Sequence, residues 1–130
     1  VVWSTYYGGG GNHANGSATL SLEEVADLDV DASDNVVIVG RTTSLTFPTT
    51  PGNAQPAMAG NGNATIVKLS GAGARIWATY LGGGGSVYGL GVATNQVGDA
   101  TVTGIIINAF AGQSVPAFPT TAGAYLTSRA

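Results

Sequence analysis

The feature that most constrains the fold is an internal repeat, in which four short motifs occur twice in the same order. The first copy has Trp3–Gly11, Leu28–Asp31, Val36–Gly40 and Phe47–Gly52; the second has Trp77–Gly85, Leu90–Ala93, Ala100–Gly104 and Phe118–Gly123. The spacings differ because extra residues lie at about 12–24 in the first copy and before Phe118 in the second. Insertions that fall between the motifs and spare them are typical of a repeated supersecondary unit.

Short runs of β-branched and aromatic residues, separated by Gly, Asn, Asp and Pro, predict an all-β chain. We expect seven antiparallel strands, at Val1–Tyr7, Val25–Asp31, Val36–Thr42, Ala64–Leu69, Arg75–Leu81, Tyr88–Thr94 and Ala100–Ile107. The residue pairs at 34–35 and 98–99 are turn pairs that tolerate positive φ. Helical periodicity is weak, and the helical expectation is limited to one short turn at Leu20–Asp27.

Several of these motifs resemble the bacterial β-propeller repeat family, the so-called seven-bladed (SBBP-type) repeat. The residues that carry the resemblance are Trp77–Gly83, Val30 and Asp31 before the Asn35 turn, Val102–Gly104, Phe47–Thr50 and Ala64–Leu69. The resemblance covers nearly the whole chain outside the two insertions. It implies four-stranded antiparallel blades in secreted or cell-surface bacterial proteins, and it implies no shared catalytic residues.

We therefore predict one all-β module over residues 1–130, built from two propeller-blade-like repeats at about 1–70 and 75–130. The strand at Ala64–Leu69 has no counterpart in the second copy, so the second blade is expected to be incomplete. The predicted strand Val1–Tyr7 likewise lacks the strand that should precede it. Two open β edges follow, and the residues expected at the first one are Val1, Val2, Trp3, Thr5 and Tyr7.

The composition argues against several classes of partner. Only 8% of the residues are charged, the net charge is -3, and the four basic residues are scattered along the chain. Without a basic patch, binding to nucleic acid or to an anionic membrane surface is not expected. No apolar run approaches the ~20 residues that a membrane-spanning helix needs, so membrane insertion is not expected either. Weak charge also leaves little repulsion between copies of the chain.

Catalytic motifs are not apparent. His13, the single histidine, lies in a polar insertion beside Asn12 and Asn15, and no serine stands in a Gly-x-Ser-x-Gly elbow. The clusters Gly8–Gly11 and Gly82–Gly85 lack the Lys-Ser/Thr and the helix that follow a phosphate-binding loop. We therefore predict that the chain is not an enzyme and needs no cofactor.

Acidic residues are concentrated in one segment, since six of the seven lie in Glu23–Asp34. Alternate residues of a strand share a face, so three of these acids should point the same way, with a fourth just beyond. The calcium candidates are Asp27, Asp29, Asp31 and Asp34. Because the second copy has Gly91 and Ala93 at the matching sites, a solvated acidic face is the preferred interpretation and calcium is the alternative.

Asn15 and Asn63 each begin a tripeptide that matches the N-glycosylation pattern, which is short and common by chance. Five aromatic residues of the two Trp motifs could alternatively form a platform that stacks on sugars. Their recurrence at matching positions favours packing in the core of each repeat.

These observations favour a secreted, non-enzymatic structural protein at a cell surface or outside the cell, most consistent with a bacterial source. Its partners would be other copies of itself, joined into a filament or surface assembly by β-edge pairing or strand complementation. The alternative is a fragment of a larger propeller adhesin that binds glycans or a host or cell-surface protein. The size of the protein in solution distinguishes the two hypotheses.

Overall fold

A computed structural model describes residues 2–10, 21–108 and 117–126, and these residues are all-β with no helix. Six antiparallel strands are present: β1 Glu23–Val30, β2 Val36–Thr42, β3 Asn63–Leu69, β4 Arg75–Leu81, β5 Gly85–Thr94 and β6 Ala100–Asn108. Strands β1 to β4 form the first sheet in sequence order, and β5 and β6 form a separate two-stranded second sheet. The predicted all-β, antiparallel fold class is confirmed.

The N-terminal strand is the main error of the sequence prediction. Residues 2–7 form no strand, and Val1 lies outside the described residues. This segment is held through its side chains instead of a backbone ladder: the Trp3 indole Nε1 donates to Gly71 O at 2.8 Å. The helical turn expected at 20–27 is also wrong, because Glu23 already pairs with Thr42 in the first sheet.

Three hairpin turns of equal length and equal geometry connect the strands. They are Asp31–Asn35, Ser70–Ala74 and Asn95–Asp99, and in each the first N–H donates to the fifth carbonyl, at 2.9, 2.7 and 3.1 Å. The fourth residue has positive φ, which explains why it is glycine in two turns and Asp34 in the third. The polar first side chain accepts hydrogen bonds from backbone N–H groups of its own turn.

The β1–β2 and β5–β6 hairpins have a bulge at the same place, which makes them equivalent in register. Each first strand shifts register just beyond the residue that faces a glycine, Gly40 in β2 or Gly104 in β6. A Cβ at Gly40 would lie 1.9 Å from Glu24 O, and one at Gly104 would lie 2.1 Å from Tyr88 O. Only glycine lets the bulged carbonyl approach this closely.

This register corrects one part of the repeat alignment. Val30 and Thr94 are the last residues before turns of equal length, facing Val36 and Ala100. Leu28 is therefore equivalent to Val92 and not to Leu90, as matching by residue type suggested. The type match paired two leucines, whereas the equivalence is set by the number of residues that separate each position from its turn.

Strands β2 to β4 of the first sheet are covered on both faces. On the face toward the second sheet, here the covered face, three buried side chains pack against the hairpin: Val37, Val39 and Ile66 meet Val92, Ala100 and Val102, with Trp77 and Leu81 alongside. On the opposite face, here the loop face, a second cluster packs under the 43–62 connection and residues 2–10: Phe47, Val67, Leu69, Ala78 and Tyr80, with Trp3, Tyr7, Ile38 and Met58 around them. The core is thus two apolar layers, one on each side of β2–β4.

The free strand edges differ in how they are protected. The connection after β2 covers the edge of β4, because Thr50 N donates to Ala78 O at 3.0 Å and Tyr80 N to Gln55 O at 3.1 Å. The edge of β5 away from β6 is contacted by residues 61 and 62 at its beginning. Among the described residues, no strand pairs with the far edge of β6.

Candidate functional site

Two carboxylates on β1 join the first sheet to the second. Asp27 Oδ1 accepts from Leu28 N at 2.9 Å, while its Oδ2 accepts from Val92 N at 3.0 Å. The first bond caps the open edge of the carboxylate's own strand, and the second caps the edge of β5. The acid therefore satisfies two backbone N–H groups that lack a ladder partner.

Asp29 repeats this arrangement two residues further along. Its Oδ1 accepts from Val30 N at 2.9 Å, and its Oδ2 accepts from Thr94 N at 2.7 Å and from Thr94 Oγ1 at 2.8 Å. The hydrogen bonds from the Thr94 side chain and then its backbone lower the pKa of Asp29 below its ordinary value. Donors that favour the charged form hold this carboxylate ionised.

The third acid of the row closes the junction at the turns. Lys68 Nζ, on β3, lies 2.8 Å from Asp31 Oδ2 and donates to Gly98 O at 2.8 Å. Lys68 is 9% exposed, and Asp31 also accepts from Asn35 through both the amide side chain and the backbone. The Lys68 ammonium, followed by Asn35, holds the pKa of Asp31 far below its usual range. One buried cation therefore ties the β1–β2 turn to the β5–β6 turn.

These contacts show what the side chains of the four calcium candidates bind in the folded chain. Asp27 and Asp29 do point the same way, as the strand alternation predicted, but both carboxylates accept from backbone N–H groups of β5. Asp31 is paired with Lys68, and Asp34 occupies a turn position with φ of 60°. Among residues 2–10, 21–108 and 117–126, no group of three or more His, Cys, Asp or Glu side chains could hold a metal ion. A freely solvated acidic face, the preferred interpretation, does not describe Asp27, Asp29 and Asp31, because their carboxylates accept from backbone N–H groups or pair with Lys68.

Asn63 is buried and cannot carry a glycan in the folded chain. Its side chain is 0% exposed, its Nδ2 donates to Ala59 O at 2.7 Å and Gly62 O at 3.0 Å, and its Oδ1 accepts from Ala59 N and Gln55 Nε2. The tripeptide match at Asn63 thus reflects a structural asparagine. Asn15 lies outside the described residues, as does His13.

The aromatic residues of the Trp motifs are mainly core residues. Tyr80 is 1% exposed, and its hydroxyl donates to Ser44 O at 2.8 Å and accepts from Phe47 N at 2.9 Å. Trp3, Tyr7 and Trp77 are partly buried against the two clusters. Tyr6 is fully exposed, so the five rings form no continuous platform.

A small apolar cavity lies beside the junction of the two sheets. Its volume is about 130 Å³, and it is lined mainly by apolar residues, among them Leu81, Val87, Ile106 and Phe118. Pockets that bind drug-sized ligands are larger, roughly 300–1,000 Å³. The cavity is therefore too small for such a ligand.

Exposed apolar side chains form two patches that the sequence prediction did not single out. The first is on β1, where Val25, Leu28 and Val30 are 68%, 54% and 48% exposed. The second is on β6, where Ile105 and Ile107 are 47% and 51% exposed. The alternation of side chains along these strands predicts that their apolar residues share a face, but it does not predict which face the rest of the chain covers.

The sequence prediction also missed the roles of Lys68, Thr94 and Gly98 at the junction. Their partners lie far along the chain, so only the sheet topology brings them together.

No family model matches the chain, and no curated protein or solved structure is significantly similar to it. The resemblance to the β-propeller repeat therefore stays a prediction that rests on the motifs. Within the described residues there is no helix long and apolar enough to cross a membrane.

Proposed function

We propose that this protein is a non-enzymatic, extracellular structural subunit that assembles with other copies of itself by completing an unfinished β-sheet. The observation that carries the proposal is the far edge of β6, which has no partner strand among the described residues. The equivalent edge of β2 pairs along its whole length with β3. An unpaired row of N–H and C=O groups is a template for a strand from another chain.

Residues 2–10 are the proposed donor. They repeat the motif of β4, yet they belong to no sheet in their own chain. Trp3 and Tyr7 pack on the loop face of the first sheet, as Trp77 and Leu81, their counterparts in β4, pack toward the second sheet. The segment thus lies on the face where a preceding sheet would pack. The second sheet of another copy has two strands among the described residues, so the segment would pair directly with β6, in the place that β3 takes beside β2.

The surface chemistry supports association between copies. The whole chain has four basic and seven acidic residues, and several of the acids are used inside the molecule, as Asp31 is by Lys68. Electrostatic repulsion between copies is correspondingly weak. A head-to-tail contact of this kind does not close on itself in a dimer, so it produces a filament or a large ring.

Sedimentation velocity and negative-stain electron microscopy of the intact chain test the proposal. We expect concentration-dependent assemblies, which a synthetic peptide of residues 1–11 should shorten by occupying the β6 edge. The same peptide with Trp3 and Tyr7 replaced by alanine is the matched control and should have no effect. A chain that stays monomeric at high concentration would contradict the proposal, as would assemblies that the wild-type peptide leaves unchanged.

The second candidate function is a fragment of an adhesin that binds glycans or a cell-surface protein. Tyr6 and Tyr125 favour it, because both side chains are almost fully exposed and aromatic rings stack on sugars. Glycan-array binding that is lost in Tyr6→Ala and Tyr125→Ala, by a chain that is monomeric, would replace the assembly proposal with this one.

A further inference from the structure

The contact between the two sheets provides a template for a contact between copies. In this contact Val92, Ala100 and Val102 of the second sheet pack on the covered face of the first. The register of the two hairpins makes these residues equivalent to Leu28, Val36 and Ile38, which lie on the loop face of the first sheet. The first sheet therefore carries the same docking surface as the second.

This surface is formed by Leu28, Val36 and Ile38 and is here called the β1 patch. The rest of the chain covers it only partly. Trp3 and Tyr7 reach the cluster around Ile38, but Leu28 is 54% exposed and its neighbour Val30 is 48% exposed. The equivalent residue Val92 is packed against the first sheet. The β1 patch is thus an apolar sheet surface whose counterpart elsewhere in the same molecule has a partner.

The complementary surface is the open face of the second sheet. Val37 and Val39, which receive the second sheet, are 0% exposed, and their equivalents on β6 are Thr101 and Thr103. Both threonines are exposed and lie on the same face of the strand as Ile105. This face is β-branched and uncharged, as a surface that packs against another sheet should be.

We propose that the β1 patch of one copy docks on the open face of the second sheet of another copy, repeating between molecules the contact made within one. The inference rests on the proposed self-assembly and names the surfaces that carry it. A second copy is the expected occupant because each chain holds both halves of a contact that its own two sheets already make. The contact is heterologous, and it therefore propagates.

The contact between copies should be more apolar than the one within the chain. In the second sheet Gly91 and Ala93 stand where β1 has Asp27 and Asp29, so no carboxylate reaches across from the open face. None is required, because Leu28 N, the equivalent of Val92 N, is already capped by its own Asp27. Association through this face should consequently depend little on salt.

Cross-linking can test this arrangement because the chain contains no cysteine. Leu28→Cys and Thr103→Cys are made as separate single variants and mixed. Packed sheets lie about 10 Å apart, beyond the reach of a disulfide, so a short bis-maleimide is the appropriate reagent. We expect cross-linked dimers from the mixture and no cross-linked dimer when either variant is treated alone.

The control replaces Leu28→Cys with Val97→Cys, an 82% exposed apolar residue in the β5–β6 turn, and should give no specific product with Thr103→Cys. Leu28→Lys should weaken assembly at least about tenfold, because docking would bury an unpaired charge, whereas Val97→Lys should not. If the chain assembles but the Leu28→Cys and Thr103→Cys variants do not cross-link and Leu28→Lys does not weaken assembly, the proposed face contact is wrong while self-assembly stands. If the chain neither assembles nor cross-links, both proposals fail.

Discussion

Lys68 Nζ lies 2.8 Å from Asp31 Oδ2, and the same ammonium donates to the backbone of Gly98 in the other sheet. The pair is therefore more than an ion pair within one sheet. A Cβ at Gly98 would lie 2.9 Å from Lys68 Nζ, so glycine at this turn position also makes room for the lysine. Three residues from distant parts of the sequence thus fix the relative position of the two hairpin turns.

Asp31→Asn should destabilise the protein. Asparagine can keep the turn, as Asn95 does in the equivalent place, but it leaves the buried Lys68 ammonium without a counter-charge. We expect the midpoint of thermal unfolding to fall by several degrees. Asp34→Asn is the control, because Asp34 is exposed and asparagine tolerates its positive φ. Equal melting temperatures for the two variants would show that Lys68 does not need Asp31.

Low pH should reduce the free energy of unfolding through Asp29 and Asp31. The pKa values of Asp29 and Asp31 are both lowered in the folded chain from an ordinary value of 3.8. The unfolded chain therefore binds protons first, and the stability that these groups contribute is complete above pH 3.8 and lost as the pH falls below it. Urea unfolding measured from pH 6 down to pH 2 should show this loss, and it should be smaller in Asp29→Asn. A pH-independent free energy of unfolding in that range would contradict the assignment.

The sequence contained most of the strand information but little about how the strands are used. Strands β1 to β6 follow from β-branched runs bounded by turn residues, and Gly98 and Asp34 mark turns whose geometry requires positive φ. These are local properties, which is why they could be predicted. Residues 2–7 have the same local pattern but no strand, because a strand also needs a neighbouring backbone.

The candidate site could be predicted only in part for the same reason. Alternation along β1 correctly placed Asp27 and Asp29 on one face, but their partners Val92 and Thr94 are 65 residues away. A carboxylate that caps a backbone edge and one that is solvated have the same local sequence. The burial of Asn63 was also hidden, since the tripeptide pattern says nothing about the loop that encloses it.

Tyr80→Phe should cost about 1–3 kcal/mol of unfolding free energy, because Ser44 O and Phe47 N would lose their buried hydroxyl partner. Tyr6→Phe, at a fully exposed tyrosine of the same motif, is the matched control and should be neutral. Burial raises the pKa of Tyr80 above its ordinary value of 10.0, so stability should fall as the pH rises beyond that value. Chemical unfolding of both variants at pH 8 and pH 11 checks this, and an unchanged alkaline loss in Tyr80→Phe would rule out Tyr80 as its source.

Gly104→Ala should destabilise the second sheet by about 1–3 kcal/mol, as overpacking does, because the new Cβ would lie 2.1 Å from Tyr88 O. Gly10→Ala places its Cβ no closer than 3.5 Å to Thr46 Oγ1 and serves as the control. Guanidinium unfolding followed by tryptophan fluorescence measures both. A Gly104→Ala protein as stable as the parent would mean that the bulge in β5 can relax away.

Removing the two carboxylates that join the sheets should loosen the second sheet selectively. In a protein with both Asp27→Ala and Asp29→Ala, Val92 N and Thr94 N lose acceptors at 3.0 and 2.7 Å, and the second half of the β5 edge loses these contacts to β1. Hydrogen exchange measured by NMR should therefore accelerate at Val92 and Thr94, while β3, which is buried along its length between β2 and β4, keeps its protection.

Glu24→Ala is the control for this double variant, since it removes an exposed acid from the same strand. It tests whether the loss of negative charge alone changes exchange. Equal acceleration in both sheets would mean that the carboxylates support the whole fold and not the junction. No acceleration at Val92 or Thr94 would mean that the apolar contacts of Val92 and Val102 hold the second sheet in place without them.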